Sequence, residues 1–162
     1  MAEPADWIDR LDLEAHPEGG YYAETYTADV VVDNRSLPDQ YEGPRPTLSS
    51  IYYLLEAGDF SAFHRLVSDE LWHFYTGDPI KLYLLDTELE TITLGIEQFQ
   101  AVIPSGTWFA AETVSEAEDA AGYSLVGCDV SPGFRFEDFE LATSALADEY
   151  PAYCELIERL VR

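Results

Sequence analysis

The chain carries three histidines, at positions 16, 64 and 73. Two of them flank an acidic pair in the segment FHRLVSDELWHFYTGD. A histidine near a carboxylate suits proton transfer, because the carboxylate orients the imidazole and brings its charge change within reach of neutral pH. Side chains alternate faces along a strand. Over 61–67 that places Ala62, His64 and Leu66 together. Over 70–76 it places Glu70, Trp72 and Phe74 together, with His73 on the opposite side beside Leu71 and Tyr75. His64 and Glu70 therefore converge if the two strands form a hairpin around Ser68 and Asp69. A buried carboxylate without a partner is costly, so Glu70 is expected to pair with His64 or to touch a ligand. We take His64 and Glu70 as the catalytic candidates.

Around them the sequence supplies an aromatic wall. Tyr52, Trp72, Phe74 and Phe109 are placed to stack on a sugar or a base, with polar groups fixing orientation. Glu24 falls on the Tyr22/Tyr26 face of its strand and joins the ligand-binding candidates, as does His73 if a bulge turns it inward. His16 is read as stabilising the HPEGGYY turn. Cys128 and Cys154 show no CxxC or zinc spacing and read as small hydrophobes without a disulfide. Gly19-Gly20 and Pro132-Gly133 are turn chemistry, not a phosphate-cradling loop.

The elements that must position these residues are mostly strands. Short runs rich in β-branched and aromatic residues cover 21–28, 48–55, 61–67, 70–76, 80–85, 89–95, 99–104, 107–113 and 123–130, divided by Gly, Pro and Asp. Such spacing argues for an antiparallel sandwich or barrel. A helix is predicted over 4–12, with Trp7, Ile8 and Leu11 on one face and Pro4 in its first turn. Residues 29–46 read as a long loop or hairpin excursion. A short helical piece follows FEDFEL, and Pro151 opens a last helix, PAYCELIERLVR. Residues 1–162 form one domain.

Thirty-two carboxylates face eight basic residues, a net charge of −24, and Lys81 is the one lysine. Acidity spread along the whole chain, without an acidic tail, matches a protein adapted to a high-salt cytoplasm, where a short Debye length screens self-repulsion. No basic stripe exists to neutralise phosphates, which speaks against nucleic acid as a partner. No run approaches the roughly 20 apolar residues of a membrane span, and the first twenty residues are too charged for a signal peptide.

The motifs resemble a known family. His64, Glu70 and Gly77 are spaced like the first cupin motif, and AVIPSGTWFAA, with Pro104 and Gly106, resembles the second. The longer segments HPEGGYYAETY, IYYLL, FHRLVSDELWHFYTGDP, LVGCDVSPGF and FEDFEL are similar to the cupin branch called domain of unknown function 985. The resemblance implies a mostly β fold, the cupin double-stranded β-helix or jelly-roll barrel, with short N- and C-terminal helices, a pocket inside the barrel and a homodimer. Metal-binding cupins use three histidines and a glutamate. Here Leu66 and Phe109 stand at the second and third histidine positions, and two ligands are fewer than the three or four a transition metal wants. The expectation is therefore no metal and no cofactor. Three functions fit: a metal-independent epimerase or isomerase on a sugar or nucleotide-linked metabolite, a non-catalytic ligand-binding or sensing barrel, or a metal-dependent cupin whose ligand set is rebuilt with His73.

Overall fold

The computed structural model describes residues 2–162. Helix α1 (Pro4–Leu11) leads into β1 (Glu14–Ala15) and β2 (Tyr21–Thr27). The excursion predicted over 29–46 holds a two-stranded ribbon of β3 (Val31–Val32) and β4 (Arg45–Pro46). The barrel strands follow: β5 (Ser49–Glu56), β6 (Phe60–Leu66), β7 (Asp69–Gly77), β8 (Ile80–Leu85), β9 (Leu89–Leu94), β10 (Gln100–Ile103), β11 (Trp108–Thr113) and β12 (Tyr123–Ser131). The chain ends in β13 (Phe139–Leu141), α2 (Leu146–Glu149) and α3 (Cys154–Arg159). Nine predicted strands are present with ends shifted by a residue or so. The sequence reading missed β1, of two residues, and β13, of three, both beside turns.

Two antiparallel sheets face each other, in the orders β1-β2-β5-β12-β7-β10 and β13-β6-β11-β8-β9. This is the jelly-roll barrel. Its interior is apolar and aromatic, built on Tyr53, Leu55, Trp72, Ile80, Leu82 and Phe109. The outer face of the second sheet is covered by the C-terminal helices, with Phe63, Trp108 and Ala110 against Leu146, Ile157 and Leu160. Helix α1 covers part of the first sheet through Trp7, Ile8 and Leu11, and the Trp7 indole donates to the Tyr123 hydroxyl at 2.7 Å. Pro4 sits in its first turn, and the helix stops at Asp12, which takes the left-handed conformation (φ 53°). No helix among the described residues is long and apolar enough to cross a membrane.

One expectation is corrected by this topology. β6 and β7 are consecutive but do not pair as a hairpin: β6 belongs to one sheet and β7 to the other. The chain crosses the sandwich at Val67 and Ser68. Tyr41 secures the crossing, its hydroxyl bonding to the Val67 carbonyl at 3.1 Å and to the Ser68 hydroxyl at 2.9 Å. His64 and Glu70 still meet in the interior, from opposite walls.

Candidate active site

The turn His16–Gly20 brings a second carboxylic acid, Glu18, to the pair. Gly19 and Gly20 have φ of 111° and 69°, and a β-carbon on either would strike a backbone carbonyl, of Phe60 at 2.1 Å or of Leu54 at 2.6 Å. Glycine alone lets the loop lie this close to the barrel. The loop is clasped from both sides. Ala62 N–H and the Arg162 guanidinium donate to the Glu18 carbonyl (2.7 and 3.1 Å), and the Tyr53 hydroxyl donates to the Gly19 carbonyl (2.7 Å). Asp59 accepts from Gly20 N–H (3.0 Å) and also pairs with Arg162.

The result is a Glu18 carboxylate buried 2.9 Å from His64 Nε2. The other ring nitrogen, Nδ1, lies 2.7 Å from the Ala62 carbonyl. A carbonyl only accepts, so Nδ1 carries a proton, and Nε2 and the Glu18 carboxyl share another between them. Burial opposes charge on the ring, but the Glu18 carboxylate outweighs it and raises the His64 pKa. Burial would likewise lift Glu18, yet His64 pulls it below its ordinary value. His16 completes the turn: its Nδ1 accepts from Glu18 N–H at 3.2 Å, and burial lowers its pKa, keeping the ring neutral.

Glu70 faces this pair across the barrel and is in the opposite electrostatic state. Burial pushes its pKa up to about 8, with the Glu18 charge adding to the rise and His64 opposing it. The Trp72 indole and the Cys128 thiol lie beside the carboxyl, yet neither Glu70 Oε2 nor Trp72 Nε1 has a partner of hydrogen-bond geometry. At neutral pH the site thus holds one protonated acid and one ionised acid locked to a histidine. With Tyr22, Ser49, Leu66, Phe134 and Phe139, these groups line a cavity of about 40 Å³.

The segment after β12 forms the aromatic mouth. Phe139 stacks near His64 (5.3 Å) and His16 (5.8 Å), and Phe134 and Phe136 meet edge to face at 4.9 Å. Arg45, 1% exposed, holds the segment by a two-pronged bond to Asp138, both distances 2.7 Å.

The sequence candidates divide into three groups. His64 and Glu70 line the pocket. Trp72 and Phe109 are buried behind it: the Phe109 ring packs 4.1 Å from His64, and Trp72 stacks edge-on against Tyr53 and Phe109. The other three lie elsewhere. Tyr52 faces outward onto Tyr75 at 6.0 Å, because Tyr53 takes the inward position of β5 and alternation sends its neighbour out. His73 also faces out, bonded to Asp129 and Gln100 at 2.9 Å each. The bulge in β7 falls after Phe74, too late to turn His73 inward. Glu24 precedes a bulge in β2, sits exposed on the rim, and accepts from Thr27 at 2.7 Å.

Sequence reasoning missed Glu18 and undervalued His16. One signal was available: an interior histidine needs a counter-charge, and HPEGG offers a carboxylate beside glycines able to approach a barrel wall. Phe134 and Phe139 carried no such signal.

Residues 5–142 match the sequence profile of the Cupin superfamily (DUF985). The chain belongs to this cupin family. Two solved structures resemble the cupin over its full length. A hypothetical protein from Leishmania major is 33% identical with a TM-score of 0.89, covering 99% of each chain. A protein from Shewanella oneidensis is 37% identical with a TM-score of 0.85, covering 100% of this chain and 99% of its own. A variant of Bacillus subtilis oxalate decarboxylase shares the fold at 17% identity and a TM-score of 0.57, covering 93% of this chain and 38% of its own. No curated protein matches the cupin.

Some cupins use a metal held by histidines and a glutamate, and the residues here do not fit one. Leu66 and Phe109 offer no lone pair at the two remaining histidine positions, and the Phe109 ring fills the space beside His64. His64 Nε2 is committed to Glu18. No group of three or more His, Cys, Asp or Glu among the described residues is placed to hold a metal ion. Dialysis against a strong chelator should leave the melting temperature of the protein unchanged. A drop of several degrees, restored by one added metal, would show a ligand set that this geometry lacks.

Proposed function

We propose that this cupin is a metal-independent acid–base enzyme of the isomerase or epimerase type, acting on a small hydroxylated metabolite in the barrel pocket. The observation that carries the reading is the opposite tuning of two buried carboxyls around one cavity. Glu70 is pushed up to about 8, while Glu18 is held below its ordinary value by His64. Sites that divide acid from base work push the pKa values of paired groups apart in this way. Glu70 is the acid and Glu18 the base, with His64 balancing the charge on Glu18.

In the step this arrangement suits, Glu18 takes the proton from a carbon next to a carbonyl. The C–H electron pair becomes the new C=C bond, and the carbonyl oxygen takes the Glu70 proton. Reversal at the neighbouring carbon, with the adjacent hydroxyl giving its proton to Glu70 and Glu18 giving its proton to that carbon, yields the isomer and restores both carboxyls. Incubation with small hydroxy-carbonyl compounds in D2O tests this by proton NMR. Deuterium should enter at the carbon beside the carbonyl, and the rate should fall above about pH 8 as Glu70 ionises. Saturable binding with no exchange and no product would support a non-catalytic ligand-binding or sensing barrel instead.

We propose also that the protein works as a homodimer in a salt-rich cytoplasm. The outer face of β7 and β10 exposes Leu71, Tyr75 and Val102 around the His73–Asp129 pair. On a chain of net charge −24, such a charge-poor face is where a second copy can approach with least repulsion.

A further inference from the structure

We infer that the pocket selects an uncharged small carbonyl compound and rejects its phosphorylated or nucleotide-linked forms. The inference rests on the acid–base reading of the site and names the substrate class it would take.

No lysine or arginine lines the pocket. The nearby guanidinium groups are already spent: Arg162 on Asp59 and two backbone carbonyls, Arg45 on Asp138, and Arg65 on Glu140. Arg135 follows Phe134 at the mouth, but its guanidinium folds back onto the Phe134 carbonyl at 3.3 Å. His64 spends one N–H on a carbonyl and the other on Glu18, so its charge is balanced in place. An entering phosphate would bring about −1.5 to −2 charges into a buried site that offers none of the usual cationic partners. Leaving such a charge unpaired is far more costly than leaving a neutral group unpaired.

Beside the Glu18–His64 pair, the pocket offers the Tyr22 and Ser49 hydroxyls and the Glu70 carboxyl. Glu70 is 6% exposed and lines the pocket, while its Oε2 is enclosed by the protein without a hydrogen-bond partner. In the protonated state that carboxyl donates a single hydrogen bond, which a carbonyl or hydroxyl oxygen accepts. Around it Ile51, Leu66, Val130, Phe134 and Phe139 give apolar walls, suited to the carbon skeleton of a neutral ligand. A site built to hydrogen-bond one polar atom discriminates strongly against ligands that leave it unpaired.

Matched probe pairs test this: dihydroxyacetone with dihydroxyacetone phosphate, and ribose with ribose 5-phosphate. Binding to the full chain is measured calorimetrically at pH 7 in molar potassium chloride, where the Debye length of about 3 Å removes the long-range repulsion of the acidic surface. At least one neutral member should bind saturably and at least tenfold more tightly than its phosphate, and Glu70→Ala should abolish that binding. Equal or tighter binding of the phosphate overturns the inference, as does binding by neither member of either pair. Neutral binding without deuterium exchange would retire the catalytic reading and leave the ligand class standing.

Discussion

Replacing Glu70 by glutamine should make the protein more stable above pH 8 while removing its proton-transfer activity. The carboxyl is raised from an ordinary 4.5 to about 8 by burial, so the folded state binds a proton that the unfolded chain has released. A raised folded-state pKa contributes stability that is fully present below about 4.5 and is lost as pH rises through about 8. Each tenfold difference in proton affinity corresponds to about 1.4 kcal/mol, so the wild-type protein should lose a few kcal/mol across that window. Glutamine keeps the shape and the donor but does not ionise, and E70Q should lack that loss. His64, whose pKa is also raised, adds a decline above about 6.5 in both proteins. His16, held neutral, acts in the opposite sense below that value. Urea melts at pH 5, 7 and 9 check the prediction. Parallel pH dependences for wild type and E70Q would mean that Glu70 titrates near its ordinary value, and the acid role would fall with it.

The second large effect belongs to His64. Substitution by alanine leaves Glu18 buried beside an empty volume with no counter-charge. Removing one partner of a buried pair costs about 3–5 kcal/mol, mostly through the stranded charge. H64A should therefore be destabilised by about that much at pH 7 and by clearly less below pH 4.5, where Glu18 can protonate. The double variant E18Q/H64A, with no stranded charge, should regain a good part of the loss. The difference between single and double variants measures the coupling directly. A loss below about 1 kcal/mol in H64A would mean that solvent reaches Glu18 and that the pair does not hold the Gly19-Gly20 loop.

These two residues were legible in the sequence because strand alternation is a local rule. His64 and Glu70 fall on inward positions of β6 and β7 whatever the strands pair with, so the erroneous hairpin did no harm to their placement. The motifs around Gly77, Pro104 and Gly106 then identified the barrel. The same rule went unheeded at Tyr52, where Tyr53 had the stronger claim to the interior. At Glu24 and His73 the outcome depends on the position of a bulge, and periodicity does not report where one residue is inserted. Glu18 was hidden for a different reason. It lies in a turn, where no period assigns a face, and its role arises only when a loop 44 positions earlier than Ala62 docks against the barrel. Long-range closure of that kind leaves little trace in a local pattern.

The packing of Phe109 on His64 has an evolutionary consequence. A mutational route from this site to a metal-binding one must replace Leu66, replace Phe109 and release His64 from Glu18. Taken singly, each change puts a polar group among apolar neighbours or strands a buried charge, and none supplies enough ligands to capture an ion. The three steps help only together. Metal chemistry is therefore several coordinated substitutions away from this site, and no single one of them is expected to create a metal centre.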